Sequence, residues 1–158
     1  MHDFAYGVDV SWVSQLEAQG IHWIDRYGHK ANPIALLKTM GANAVRLRVF
    51  VNPPAEAFWT KPEKEFAGRK FGPEKCMLGF CDKDGMLELA KRAKALGMRL
   101  MVDFHYSDHF ADPVFQDIPE EWKNDSYEQL SGRVAGHTKE VLELLKSQGI
   151  YPEWVQVG

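Results

Sequence analysis

Residues 43–51 read NAVRLRVFV, and their alternation decides the fold. Val45, Leu47 and Val49 fall on one face of a strand and Arg46 and Arg48 on the other, because successive strand side chains point to opposite sides. The apolar face must be covered, and the two arginines must find acceptors on theirs. Both demands organise the rest of the chain.

Upstream, Asn32 is placed to cap a helix with Pro33 at its first position, running through PIALLKTM to Gly41. Downstream, Asp82 opens KDGMLELAKRAKAL, which stops at Gly97. Ser126 with Gln129 forms a capping box for a helix ending at Gly149. Each helix is followed by an apolar, β-rich run: NAVRLRVFV, then MRLMVDFHY (98–106), then WVQVG (154–158). A fourth run, AYGVDVSW (5–12), precedes the first helix. The order βαβαβαβ predicts parallel strands joined by helical crossovers in one α/β unit. Two connections are long, 52–81 and 107–125, and both leave the C-terminal end of a strand, where α/β proteins place their sites.

The bulk numbers agree with a globular domain. A chain of 158 residues buries roughly 70% of its unfolded surface, and 45% apolar with 26% charged residues supplies a core. Nineteen basic residues against 22 acidic, net charge -3 and no long basic run argue against nucleic acid or an anionic membrane as partner. No stretch approaches the roughly 20 apolar residues of a membrane span. MHDFAYGVDV lacks the basic and apolar regions of a signal peptide, which predicts either a cytoplasmic protein or one whose export signal has been removed. Cys76 and Cys81 read as two structural thiols or as a small local disulfide.

Two α/β architectures compete, the open doubly wound sheet and the closed barrel. Doubly wound dinucleotide binders carry a Gly-rich turn after the first strand; DVSWVSQLEAQG stands there instead, so no nucleotide cofactor is expected. The strand ends offer Asp9 and Trp12, then Arg46, Arg48 and Asn52, then Asp103, His105, Tyr106 and Asp108. The two arginines read either as a structural ion pair at a sheet rim or as inward cations that grip carboxylates near the C-terminal face of a barrel.

DFHYSDHFADP (103–113) is the densest polar patch. Asp103 and His105 could satisfy backbone groups there while Ser107 and Asp108 turn the chain. His105, Asp108, His109 and Asp112 also admit a metal reading, but the stretch leaves its strand for a loop beside Pro113, and no metal is expected. Trp12, Trp59, Trp122, Tyr106 and Phe110 lie at or after strand ends. Any one suits a core; together they suggest stacking platforms for sugar rings.

The runs GVDVSWVSQLEAQG, GANAVRLRVFVNPP, FCDKDGMLELAKRAKALGMRLMVDFHYSDHFADP and HTKEVLELLKSQGIYPEWVQVG, in that order over almost the whole chain, resemble successive motifs of glycoside hydrolase family 53, the arabinogalactan endo-β-1,4-galactanases. The resemblance implies a (β/α)8 TIM barrel, with residues 1–158 as its N-terminal half and about the first four strands present. It implies retaining endo-hydrolysis of β-1,4-galactan in pectic arabinogalactan, outside the cell or in the periplasm, without a cofactor. In the family the fourth strand continues from VQVG into Asn-Glu, whose Glu is the general acid/base, and the nucleophile Glu lies on the seventh strand. Both catalytic Glu would therefore lie beyond Gly158, and no catalytic residue is expected among these 158. Asp9, Arg46, Arg48, Asn52, His105, Tyr106 and Asp108 would then support or line the subsites around those acids, with Trp12 and Trp59 in the same cleft.

A retaining glycosidase needs two carboxyl groups roughly 5 Å apart. Nothing in the sequence places two of Asp9, Asp103 and Asp108 across a bond, so the chain alone is expected to be inactive. The alternatives are a non-catalytic galactan-binding half barrel and a metal-dependent hydrolase built on residues 105–112. Half a barrel also leaves two strand edges unpaired, so self-association is expected unless something covers them.

Overall fold

The computed structural model describes residues 4–158. In chain order the elements are β1 (Gly7–Asp9), α1 (Val13–Ala18), β2 (Trp23–Ile24), β3 (Lys30–Ala31), α2 (Pro33–Thr39), β4 (Ala44–Val49), β5 (Phe58–Lys61), β6 (Lys64–Phe66), β7 (Arg69–Phe71), β8 (Glu74–Met77), α3 (Lys83–Ala95), β9 (Arg99–Phe104), a 3-10 turn (Glu120–Trp122), α4 (Tyr127–Ser147) and β10 (Trp154–Val157). The four expected strands are β1, β4, β9 and β10, and the three expected helices are α2, α3 and α4.

The helix starts follow from their caps. Asn32 Oδ1 accepts from the Ile34 N–H at 2.9 Å, Asp82 Oδ1 from the Gly85 N–H at 2.7 Å, and Ser126 exchanges the reciprocal bonds of a capping box with Gln129. The short α1 begins without a side-chain cap, with Trp12 at that position.

β1, β4, β9 and β10 pair in that order, all parallel. Each strand of this sheet lies beside its predecessor, whereas a doubly wound sheet reverses direction after its first strands. One face is apolar: Val45, Leu47, Val49, Leu100, Val102 and Phe104 pack with Ile34 of α2, Leu89 of α3 and Val141 and Leu145 of α4. Each such fully buried side chain contributes roughly 1.5–3 kcal/mol. The pairing puts Asp9, Arg46, Arg48, Asp103 and Gln156 together on the opposite face. Helices on one side and polar rows on the other are the arrangement of a barrel wall.

The connection 52–81 is not a bare loop, the form its composition suggests. β5 and β8 form an antiparallel ladder, and β6 and β7 form a hairpin inside it. Gln15 anchors the base of this excursion: its Nε2 donates to the Ala57 carbonyl at 3.1 Å and its Oε1 accepts from Gly79 N–H at 2.7 Å. Gly79 has φ +72, and a Cβ there would lie 2.7 Å from the Ser11 carbonyl oxygen, so only glycine brings the chain back this close to β1.

Both cysteines are free thiols, so the local disulfide is not formed. Buried Cys81 donates to the Ser11 carbonyl, and burial pushes its pKa up to about 12.

β1 and β10 are the edges of the sheet, and each is flanked by an apolar groove. Tyr6 stands 63% exposed beside one and Val157 67% exposed on the other. Gly158, directly after β10, still donates its N–H to the Phe104 carbonyl at 3.2 Å, so the parallel pairing with β9 runs to the last residue. Among the described residues no helix is long and apolar enough to cross a membrane.

Candidate functional site

The polar face of the sheet carries a continuous network near the C-terminal ends of β1, β4 and β9. Arg46 bridges two strands: Nη1 lies 3.4 Å from Asp9 Oδ2 on β1, and Nη2 donates to Asp103 Oδ2 on β9. Arg48 Nη2 lies 2.7 Å from the same Asp9 oxygen in an ion pair. The Arg48 backbone N–H donates to Ser11 Oγ at 3.0 Å, and Ser11 N–H donates to Asp9 Oδ1 at 3.0 Å. Strand alternation therefore delivers both arginines to acceptors, as the sequence demands.

Arg48 is also enclosed. Its guanidinium carbon lies 4.0 Å from the Trp12 ring centre and 4.7 Å from that of Phe110, while Trp12 Nε1 is tied to the Met77 carbonyl at 3.0 Å. Stacking on aromatic faces suits a weakly hydrated planar cation. Burial pushes the Arg48 pKa down and the Asp9 charge opposes it, and the group stays charged.

His105 completes the network. The backbone N–H of Ala111 donates to Nδ1 at 3.1 Å, so that nitrogen carries the lone pair. The ring proton therefore sits on Nε2 and is donated to Asp103 Oδ2 at 3.0 Å. Burial alone would raise the Asp103 pKa, but the His105 bond and then the Arg46 charge and bond outweigh it and hold the carboxyl below its ordinary value of 3.8. Asp103, for which satisfying backbone groups at a strand end is one reading of the sequence, binds two side chains instead.

Both carboxylates of the network are thus ionised acceptors gripped by guanidinium groups, and neither is placed as a free acid or nucleophile. Three buried atoms, Arg46 Nε, Arg48 Nη1 and Asp103 Oδ1, have no hydrogen-bond partner among the described residues. Two donors and one acceptor therefore remain on this face. Gly158, after which the resemblance expects the catalytic acids, stands at the same C-terminal end of the sheet, one strand over from Asp103 and His105.

The other expected residues sit elsewhere. Asp108 is a loop clamp, its Oδ1 accepting from Asn52 N–H and its Oδ2 from Glu120 N–H, each at 2.9 Å. It joins the segment after β4 to the 3-10 turn, and Asn52 meets it through its backbone N–H. Tyr106 turns to the helix side, where its hydroxyl meets Thr138 of α4 at 2.8 Å and its ring stacks on Phe104. The period of two puts it opposite His105, so it is not in the cleft with the arginines. Trp59 lies in the loop layer with one face covered by the His109 ring, stacked at 3.7 Å. Trp122 is buried rather than at a rim.

The four residues of the metal reading are dispersed. His105 serves Asp103 and Ala111, Asp108 the two loops, His109 meets Asp117 at 2.9 Å, and Asp112 caps the turn at Val114 and Phe115. Among the described residues no group of three or more His, Cys, Asp or Glu side chains is placed to hold a metal ion. Ser11 is the contributor that sequence reasoning misses; a small hydroxyl two residues after a strand-end Asp is its only signal.

The family model of glycosyl hydrolase family 53 matches residues 5–158. Endo-beta-1,4-galactanase of Bacillus subtilis (strain 168) is 35% identical over 156 residues, covering 99% of this chain and 33% of that protein. Arabinogalactan endo-beta-1,4-galactanase of Cellvibrio japonicus (strain Ueda107) is 33% identical over 156 residues, covering 98% of this chain and 35% of that protein. The solved Ignisphaera aggregans GH53 catalytic domain superposes with a TM-score of 0.79 at 34% identity, over 99% of this chain and 39% of that one. The chain spans about a third of the length of the curated relatives it matches.

Proposed function

Because the chain belongs to glycosyl hydrolase family 53, we propose that residues 1–158 form the N-terminal half of one barrel domain in an endo-β-1,4-galactanase that cleaves the galactan of pectic arabinogalactan. Its place of action is then outside the cell or in the periplasm, where the polymer lies. The observation that carries this reading is the Asp9–Arg46–Asp103–His105 network with Arg48 stacked on Trp12, set at the strand ends where barrel enzymes keep their chemistry.

Each group has a role in that setting. Retaining hydrolysis requires two carboxyl groups roughly 5 Å apart, one donating a proton to the leaving oxygen and one attacking the anomeric carbon. Both are supplied by sequence beyond Gly158, the first directly from the end of β10. Arg46 and Arg48, anchored by Asp9 and Asp103, present fixed positive charge that lowers the cost of placing those carboxylates nearby. His105, with both ring nitrogens engaged, is a positioning group rather than a proton carrier. Trp12 offers an aromatic edge beside the arginine for a sugar ring. Asp108 and Asn52 hold the loops that border the site.

Asp9 and Asp103 are both committed to guanidinium groups, so residues 1–158 alone do not cleave galactan, and their open β1 and β10 edges favour self-association. Reducing-sugar release from β-1,4-galactan, measured for the whole protein and for residues 1–158, tests this. Release by the whole protein alone is expected. Release by residues 1–158, or a whole protein that cleaves a different β-glycan and leaves galactan intact, overturns it. Sedimentation of residues 1–158 as a stable 18.0 kDa monomer would remove the claim of association.

A further inference from the structure

α4 contains Gly132 and Gly136, one turn apart inside a 21-residue helix. Each weakens the helix relative to Ala. Packing does not demand them, since a Cβ at either position meets nothing within 4 Å. What they share is a cleft of about 490 Å³ between α4, the start of α3 and the segment after β4, within the size range of small-molecule sites. Among its lining residues is His137, only 9% exposed, whose buried Nε2 has no hydrogen-bond partner among the described residues. An orphaned polar atom of this kind calls for a ligand or an ordered water.

We propose that this cleft is a second saccharide-binding site, outside the barrel wall, that holds a neutral segment of the galactan chain. The choice of galactan rests on the proposed function; the choice of a neutral polyol rests on the cleft itself. All of its charged groups except Asp84 are already engaged within the protein. Lys83 pairs with Glu140, Arg133 with Asp125 at 2.8 Å, Asp82 caps α3, and Glu121 accepts from Trp122 Nε1 at 2.8 Å.

An anion would meet more carboxylates than cations here and would find both cations taken. A hydroxyl group can accept from a ring N–H or donate to a ring lone pair, and can add to the spare lone pairs of Glu121 and Glu140. Burial lowers the His137 pKa, against an opposing effect of Glu140, which keeps the ring neutral and suited to a neutral ligand. Asn52 lines the cleft, and its backbone N–H is held by Asp108 of the segment after β9.

The test is a titration of the isotope-labelled whole protein with β-1,4-galactotetraose, following the amide signals of Gly132 and Gly136 and the ring signals of His137. The variant Gly132→Leu/Gly136→Leu fills the cleft while removing a helix penalty, so its folding is not in question; His137→Phe is a second variant that removes the orphaned nitrogen. Saturable shifts at these residues are expected, with affinity falling at least tenfold in both variants. Cleavage of short galacto-oligosaccharides should be unchanged and breakdown of long galactan slowed. Shifts confined to Trp12, Arg48 and His105 would overturn the second site while leaving the galactanase reading intact. Shifts at α4 with cellotetraose but not galactotetraose, together with no cleavage of galactan, would keep the site and overturn the galactanase reading. Silence at α4 with both sugars overturns the site.

Discussion

Asp103→Asn isolates the charge at the centre of the inner face while keeping the side-chain shape. Asp103 is 1% exposed and its Oδ2 serves both Arg46 and His105. Removing one partner of a buried ion pair costs about 3–5 kcal/mol, but Arg46 is 34% exposed and keeps Asp9 at 3.4 Å, so about 2–3 kcal/mol is expected. That is a large share of the roughly 5–15 kcal/mol that holds a domain together. Urea denaturation of the wild type, Asp103→Asn, Arg46→Met and the double variant forms a cycle, with an expected coupling of about 1–3 kcal/mol. The same variants carry a pH signature. The folded-state pKa of Asp103 lies below its unfolded value, so its contribution is complete above the unfolded pKa of about 3.9 and is lost as pH falls toward the folded one. Wild-type stability should therefore drop through that acid window, and Asp103→Asn should drop less steeply there. Additive single effects together with superimposable acid limbs would refute the network.

Asp108→Ala frees two backbone N–H groups at once, and amide exchange at Asn52 and Glu120 should accelerate at least tenfold, with proteolysis appearing in 107–125. Unchanged exchange would mean the clamp holds nothing. Trp12→Ala removes the face on which Arg48 stacks, and urea denaturation should show a stability loss of about 2 kcal/mol, the worth of a desolvated cation–π contact; an unchanged midpoint would mean the stack holds nothing. Gly79→Ala should lower the melting temperature sharply, because its Cβ would lie 2.7 Å from the Ser11 oxygen in a left-handed backbone conformation. In thiol labelling at pH 8, Cys81, with its pKa near 12, should react only after unfolding, while half-buried Cys76 reacts in the native protein.

Much of this architecture is legible because the decisive signals are local. Alternation in 43–51 separates Arg46 and Arg48 from the valines, and three caps announce three helices. The excursion over 52–81 is not legible. Its strands FWTK, KEF, RKF and EKCM are short and mixed in polarity, and β6 turns into β7 through Ala67 and Gly68, both at positive φ, where Asn-Gly would have signalled a hairpin. α1 is hidden for lack of a capping side chain. In the site, Asp9, Arg48 and His105 announce themselves by their place at strand ends. Tyr106 looks like a cleft residue because its neighbour is one, although the strand period sends it to α4. The partnership of Asp103 with Arg46 spans 57 positions, and no short-range pattern reports it.

The two arginines also guard against an error of assembly. If β4 slid by one residue against β9, every side chain would change sides, and two guanidinium groups would be driven among Ile34, Leu89 and Val141. Burying those charges without partners would cost far more than the strand pairing returns. A slide by two residues keeps the sides correct but takes Arg46 off its bridge between Asp9 and Asp103 and Arg48 off its stack on Trp12. An all-valine strand would tolerate either mistake at little cost. The ionic rungs of β4 therefore select a single alignment from several that hydrophobic burial would leave nearly equal, and that alignment sets the height of every group on the inner face.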